Sequence, residues 1–76
     1  MIHTIKIEQM YHERILSGQK TFEVRKNDRD YQVGDSLDFI CSDGKTPLRG
    51  PRYSIVYVHS GLGMNPEYVV LGIKPD

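Results

Sequence analysis

Lys20, Thr21, Glu23 and Arg25 are the side chains of this sequence best spaced to do chemistry together. They lie in the segment Gly18-Gln19-Lys20-Thr21-Phe22-Glu23-Val24-Arg25-Lys26-Asn27-Asp28-Arg29-Asp30. Side chains of an extended strand alternate faces, so Thr21, Glu23 and Arg25 share one face while Phe22 and Val24 share the other. One face therefore presents a hydroxyl, a carboxylate and a guanidinium in a row, with Lys20 just before them. The expectation is that Phe22 and Val24 join a core and that the polar row lines a cleft. There Glu23 would accept hydrogen bonds from an exocyclic amine, and Arg25 would grip a phosphate or a base edge with its two-pronged head. The alternative is that Glu23 and Arg25 pair with each other or with strand neighbours at the surface, where such pairs contribute little. Lys20 has three readings: complementing a helix C-terminus, contacting a phosphate, or acting as a general base. Thr21 is either a satisfied strand residue or a hydrogen-bond donor to the ligand.

These residues need elements to hold them. Ile5 and Ile7 alternate with Thr4 and Lys6, which predicts a strand over His3 to Glu8. From Gln9 to Ser17 the apolar spacing becomes helical, and Gly18 follows as a C-terminal stop. Thr21 to Lys26 is the second strand, and Asn27-Asp28-Arg29-Asp30 a polar turn, read either as a charged turn with internal pairing or as a lip over the cleft carrying Arg29. Val33-Gly34-Asp35 introduces a third strand, Ser36 to Cys41, with Leu37, Phe39 and Cys41 on one face. Ser42-Asp43-Gly44-Lys45 is a turn. Arg52 to His59 and Tyr68 to Ile73 complete the set, the last apolar on both faces and so expected between neighbours. One helix cannot cover a flat sheet of five short strands. A mainly β fold with one helix follows: a five-stranded, partly closed barrel plugged by the helix. Tyr53, Tyr57, Tyr68 and Tyr11 are read as core residues, Cys41 as a small buried apolar one, and His3 as a surface or end residue.

Composition narrows the function classes. The 76 residues amount to a single domain, 1–76, with one small core. Ten Lys and Arg balance ten Asp and Glu, which argues against coating nucleic acid by bulk charge, although a local site is allowed. Gly44 to Pro66 contains Lys45, Arg49 and Arg52 but no acid, and this hairpin is read either as a basic patch for phosphates or as a soluble surface. One cysteine points to a reducing, cytoplasmic setting, consistent with a start that lacks the features of a secretion signal. No apolar run is long enough for a bilayer. The cysteine and three histidines have no metal-ligand spacing, and Gly61-Leu62-Gly63 does not fit a dinucleotide fingerprint, so neither metal nor cofactor is expected.

Ile15 to Arg25, followed by Val33-Gly34-Asp35, resembles the signature of the ASCH group within the PUA-like superfamily. That pattern is a helix ending in a small residue and Gly, a basic pair and Thr, a strand bearing Glu or Thr and Arg, then Gly-Asp. Gln19 replaces the first basic residue and Lys20 keeps the second. Arg25-Lys26-Asn27-Asp28-Arg29-Asp30 and Tyr68-Val69-Val70-Leu71 further resemble a small bacterial and phage subfamily of ASCH-like domains. The resemblance implies a PUA-like pseudo-barrel that binds RNA or a nucleotide-like ligand. Lys20, Thr21, Glu23 and Arg25 would form its cleft, and Arg29, Arg49 and Arg52 would contact phosphates. Some ASCH proteins resemble amidohydrolases that deacetylate N4-acetylcytidine with a Lys, a Thr three residues later and a distant Glu. Lys20 matches the first position, but Glu23 stands where the Thr is expected, so a binding domain is preferred to an enzyme. If there were catalysis, Lys20 and Glu23 would carry it. A third class is a protein-interaction module using the sheet face near Tyr53 and Tyr57.

Overall fold

The alternation of Ile5 and Ile7 with Thr4 and Lys6 becomes strand β1 (Ile2–Ile7), and the helical spacing that follows becomes α1 (Gln9–Leu16). The chain continues as β2 (Phe22–Lys26), β3 (Ser36–Cys41), β4 (Tyr53–His59) and β5 (Tyr68–Pro75) in a computed structural model that describes residues 1–76. The five strands form one sheet in the order β1-β3-β4-β5-β2, curled into a half-barrel with α1 as the only helix. β1 and β3 run parallel, while the other neighbours are antiparallel. β5 is paired on both edges, as its two apolar faces predict.

Ile5, Ile7, Ile15, Leu37, Tyr53, Ile55, Val69, Leu71 and Ile73 fill the concave side together with Tyr31. Cys41 is buried on the same side of β3 as Leu37. Ile15 is the apolar anchor of α1, and His12 is buried beside it with its ring edge-on to Phe39. Burial of His12 in apolar surroundings lowers its pKa from the ordinary 6.5, and so favours the neutral ring.

Several expectations are corrected. Phe22 and Val24 do not enter the core: they are 44% and 46% exposed on the outside of β2. The register explains this. Glu23 lies opposite Leu71 and Arg25 opposite Val69, and directly opposed residues of an antiparallel pair share a face. The polar row is thus the inward one. Tyr53 is buried as expected, but a bulge between Ile55 and Tyr57 reverses the parity of β4. Val58 then turns toward the core and Tyr57 faces outward, 63% exposed. Tyr68 is exposed because the inward positions of β5 are Val69, Leu71 and Ile73. Tyr11 is also exposed.

His3 is buried rather than superficial. Its Nε2 lies 2.8 Å from Asp35 Oδ2, and its ring packs against Tyr31 at a tilt of 57°, with 4.8 Å between ring centres. Asp35 also accepts the Gln32 N–H, so one carboxylate ties β1 to the turn before β3. The His3 hydrogen bond, aided by Gln32, holds the Asp35 carboxyl below the usual carboxylate range despite partial desolvation.

A candidate ligand cleft at the open seam of the sheet

β1 and β2 are the two ends of the sheet, and the half-barrel leaves them facing each other without a ladder between them. Ser36 and Ser42 donate to the carbonyls of Met1 and Ile7, so the odd-numbered carbonyls of β1 point toward β3. The even-numbered ones point to the seam. Two arginines cap them. Arg25 Nη1 donates to the Lys6 carbonyl at 2.8 Å, and Arg29 Nη1 donates to the Thr4 carbonyl at 3.2 Å. Side chains thus do at the seam what a sixth strand would do, and they satisfy an otherwise open edge.

A cleft of about 530 Å³ opens in this seam beside α1, with Lys6, Tyr11, Lys20, Glu23 and Arg25 among its lining residues. The helix end positions Lys20. Gly18 turns the chain in the left-handed conformation at φ 81°, which a Cβ would strain, and the Lys20 N–H returns to the Arg14 carbonyl at 3.0 Å. The Lys20 ammonium then stands 3.2 Å from Glu23 Oε1 and 4.7 Å from the centre of the Tyr11 ring. Glu23 is only 4% exposed, and its other oxygen lies 3.6 Å from Arg25 Nη1. A buried carboxylate between two cations is the electrostatic core of the cleft.

Arg25 is not fully satisfied by these contacts. Its Nε is the one buried side-chain nitrogen or oxygen in the structure with no hydrogen-bond partner. A donor left in that condition costs on the order of 1–3 kcal/mol. The lining residues Lys6, Lys20 and Arg25 outnumber Glu8 and Glu23 by one charge, so the cleft as a whole favours an anion.

Of the residues singled out from the sequence, the fold brings Lys20, Glu23 and Arg25 together. Thr21 is exposed just before β2, its carbonyl accepts the Ile73 N–H, and it does not line the cleft. Arg29 bridges to β1 and borders a different hollow, of about 370 Å³, with His3, Gln32 and Asp35. Arg52 is committed to Asp38 through two hydrogen bonds of 2.7 and 3.0 Å. That pairing raises the guanidinium's pKa and lowers the carboxyl's. Arg49 is exposed on the same side loop and does not line the cleft. The seven candidates therefore divide between one cleft and several unrelated places. Sequence reading missed Lys6 and Tyr11 as cleft residues. Lys6 has outward parity on β1, and only the approach of β2 makes that position a wall.

No helix of the chain is long and apolar enough to cross a membrane. A 36-residue stretch is 44% identical to the "uncharacterized 12.9 kDa protein in GpA 3′ region" of Escherichia phage P2. The match covers 47% of this chain and 33% of the phage protein, so the chain spans about a third of the length of that relative. The family described as a domain of unknown function, DUF3850, matches residues 2–73. The chain belongs to the DUF3850 family.

Proposed function

We propose that the seam cleft binds a nucleotide-like ligand, either free or as an accessible base of RNA. The observation that carries this reading is a buried carboxylate beside a guanidinium in one cleft: Glu23 and Arg25. A nucleobase edge with an amine and a neighbouring ring acceptor matches that pair. The Tyr11 ring at the rim offers a face for stacking, and the surplus positive charge suits a phosphate. The sequence resemblance to ASCH domains supports the same ligand class.

A titration of the protein with nucleosides, nucleoside monophosphates and short RNAs, followed by amide chemical shifts, tests it. Shifts at Tyr11, Lys20 and Glu23 are expected. Glu23→Gln keeps the shape of the side chain and should weaken binding by about tenfold or more, as lost charged hydrogen bonds do. Equal binding by wild type and the Glu23→Gln, Arg25→Ala double variant would remove the cleft as the site.

One contact favours a second reading. Lys20 Nζ lies 3.2 Å from Glu23 Oε1, within the distance proton transfer requires. The corresponding activity is hydrolysis of an acylated nucleoside, with Lys20 and Glu23 moving the proton. Incubation with N4-acetylcytidine should release cytidine; an unchanged substrate at high enzyme concentration rejects the reaction.

A further inference from the structure

The outer face of β2, β5 and β4 carries three exposed aromatic rings that the cleft does not use. Phe22, Gly72 and Tyr57 are aligned across the strands in one row, and Val24, Val70 and His59 in the next. Lys26 lies opposite Tyr68, and Lys74 opposite Ser54. Phe22, Tyr57 and Tyr68 are all exposed. Gly72 leaves bare backbone between the first two rings, where an added Cβ would sit 3.2 Å from the Tyr57 Cβ. Phe22 and Tyr57 are therefore separated by one strand with no side chain on it, about 10 Å at ordinary strand spacing.

The charges on this face are mostly of one sign. Its outward positions are Phe22, Val24 and Lys26 on β2, Ser54, Val56, Tyr57 and His59 on β4, and Tyr68, Val70, Gly72 and Lys74 on β5. They include two lysines, against the one carboxylate of Asp76, which accepts the Ser54 hydroxyl at the Lys74 end. We propose that this convex face is a stacking platform for single-stranded nucleic acid, whose rings lie outside the cleft and which meets it only at Val24 on the edge strand β2. Flat exposed rings take bases of any identity, and the flanking ammonium groups follow the phosphates. A second copy of the chain fits worse, since a two-fold pairing of these faces would bring lysines of both copies to one interface. The area accommodates roughly two or three bases, as other sheet-based binders do. Lys20 connects the two surfaces: its ammonium is 5.4 Å from the centre of the Phe22 ring while its hydrogen bond goes to Glu23. The proposal does not require the cleft to bind anything.

The test uses a short oligouridylate at low salt, read by tyrosine fluorescence, since the chain has five tyrosines and no tryptophan. Binding with quenching is expected. Phe22→Ala with Tyr57→Ala should weaken it by about tenfold or more, the usual cost of removing a stacking partner. Both residues face solvent, so the thermal midpoint should barely move. Lys26→Glu with Lys74→Glu, which leaves the rings in place, should weaken binding and flatten its salt dependence. Amide shifts on titration should appear at Tyr57, Tyr68 and Gly72, on strands that do not line the cleft, which separates this surface from the cleft. No binding by wild type overturns the proposal. So does unchanged affinity in both double variants, or amide shifts confined to the cleft residues. A dimer in sedimentation that Phe22→Ala with Tyr57→Ala dissociates would assign the face to a second copy instead.

Discussion

Two carboxylate–cation groups stand in different parts of this small protein and differ in nearly every physical respect. Glu23 is buried between Lys20 and Arg25 at the seam of the sheet. Asp38 and Arg52 pair on the outside of β3, at 37% and 45% side-chain exposure. The exposed pair has the better geometry, with two short hydrogen bonds. The buried group has one hydrogen bond at 3.2 Å, one looser ion contact at 3.6 Å, and a neighbouring N–H left unmade. Good geometry in water is a closed arrangement with nothing left to offer. The incomplete group in the cleft has strong fields, which are what a ligand can exploit.

The largest effect expected from breaking this contrast is on stability. Glu23→Ala should cost roughly 3 kcal/mol in urea unfolding, at the low end for breaking a buried pair because Lys20 can swing out over Tyr11. Asp38→Ala should leave the unfolding midpoint nearly in place, since water replaces the lost partner. Equal losses would mean that burial does not distinguish the two groups.

A second effect concerns pH. His12 lies beneath the Asp38–Arg52 pair, in a hollow it shares with Phe39 and Leu48. Its pKa is lower folded than unfolded, because burial disfavours the charged ring. The unfolded chain therefore binds the proton first as pH falls. The stability present above about 6.5 is lost progressively below that value. Urea midpoints measured between neutral and mildly acidic pH should fall, and His12→Leu should flatten the slope. Asp35 acts lower on the scale: its carboxyl is depressed in the folded state, so its contribution is complete well above the ordinary value of 3.8 and is lost as pH falls through and below it.

A smaller effect is expected at the seam. Arg25→Ala frees the Lys6 carbonyl and removes one of two guanidinium bridges. Amide exchange in β1 should accelerate while exchange in β4 and β5 stays slow, because those strands are paired on both edges. Uniform acceleration would mean that the seam is part of the global unfolding unit.

The smallest change belongs to Asp43. It accepts the N–H groups of Lys45 and Thr46 together with the Thr46 hydroxyl, and these hold its carboxyl well below the usual carboxylate range. Asp43→Ala should loosen the β3–β4 loop, seen as sharper resonances for residues 43–47, with the cleft residues unmoved.

Much of this was readable from residue order. The turn signals at Gly18, Gly34 and Asp43-Gly44 mark real chain reversals, and the strand bounds fall within a residue or two of the periodic runs. The parity of Thr21, Glu23 and Arg25 against Phe22 and Val24 is a property of the extended chain, so the shared face of Glu23 and Arg25 needed no tertiary information. His12, Tyr31 and Asp35 escaped detection because their burial depends on partners distant in sequence, such as Phe39 and His3.

By itself, the sequence determined the element types, the single helix in a mainly β chain, and which side chains travel together on each strand. Only the tertiary structure decided which side of a strand faces in. Alternation specifies two faces and is silent about their assignment, which is set by the register against a neighbour: Leu71 opposite Glu23 turned the charged row inward. A single extra residue at the β4 bulge sent Tyr57 to the surface although Tyr53 and Ile55 are in the core. Registers and bulges are contacts between distant segments, so local periodicity cannot contain them.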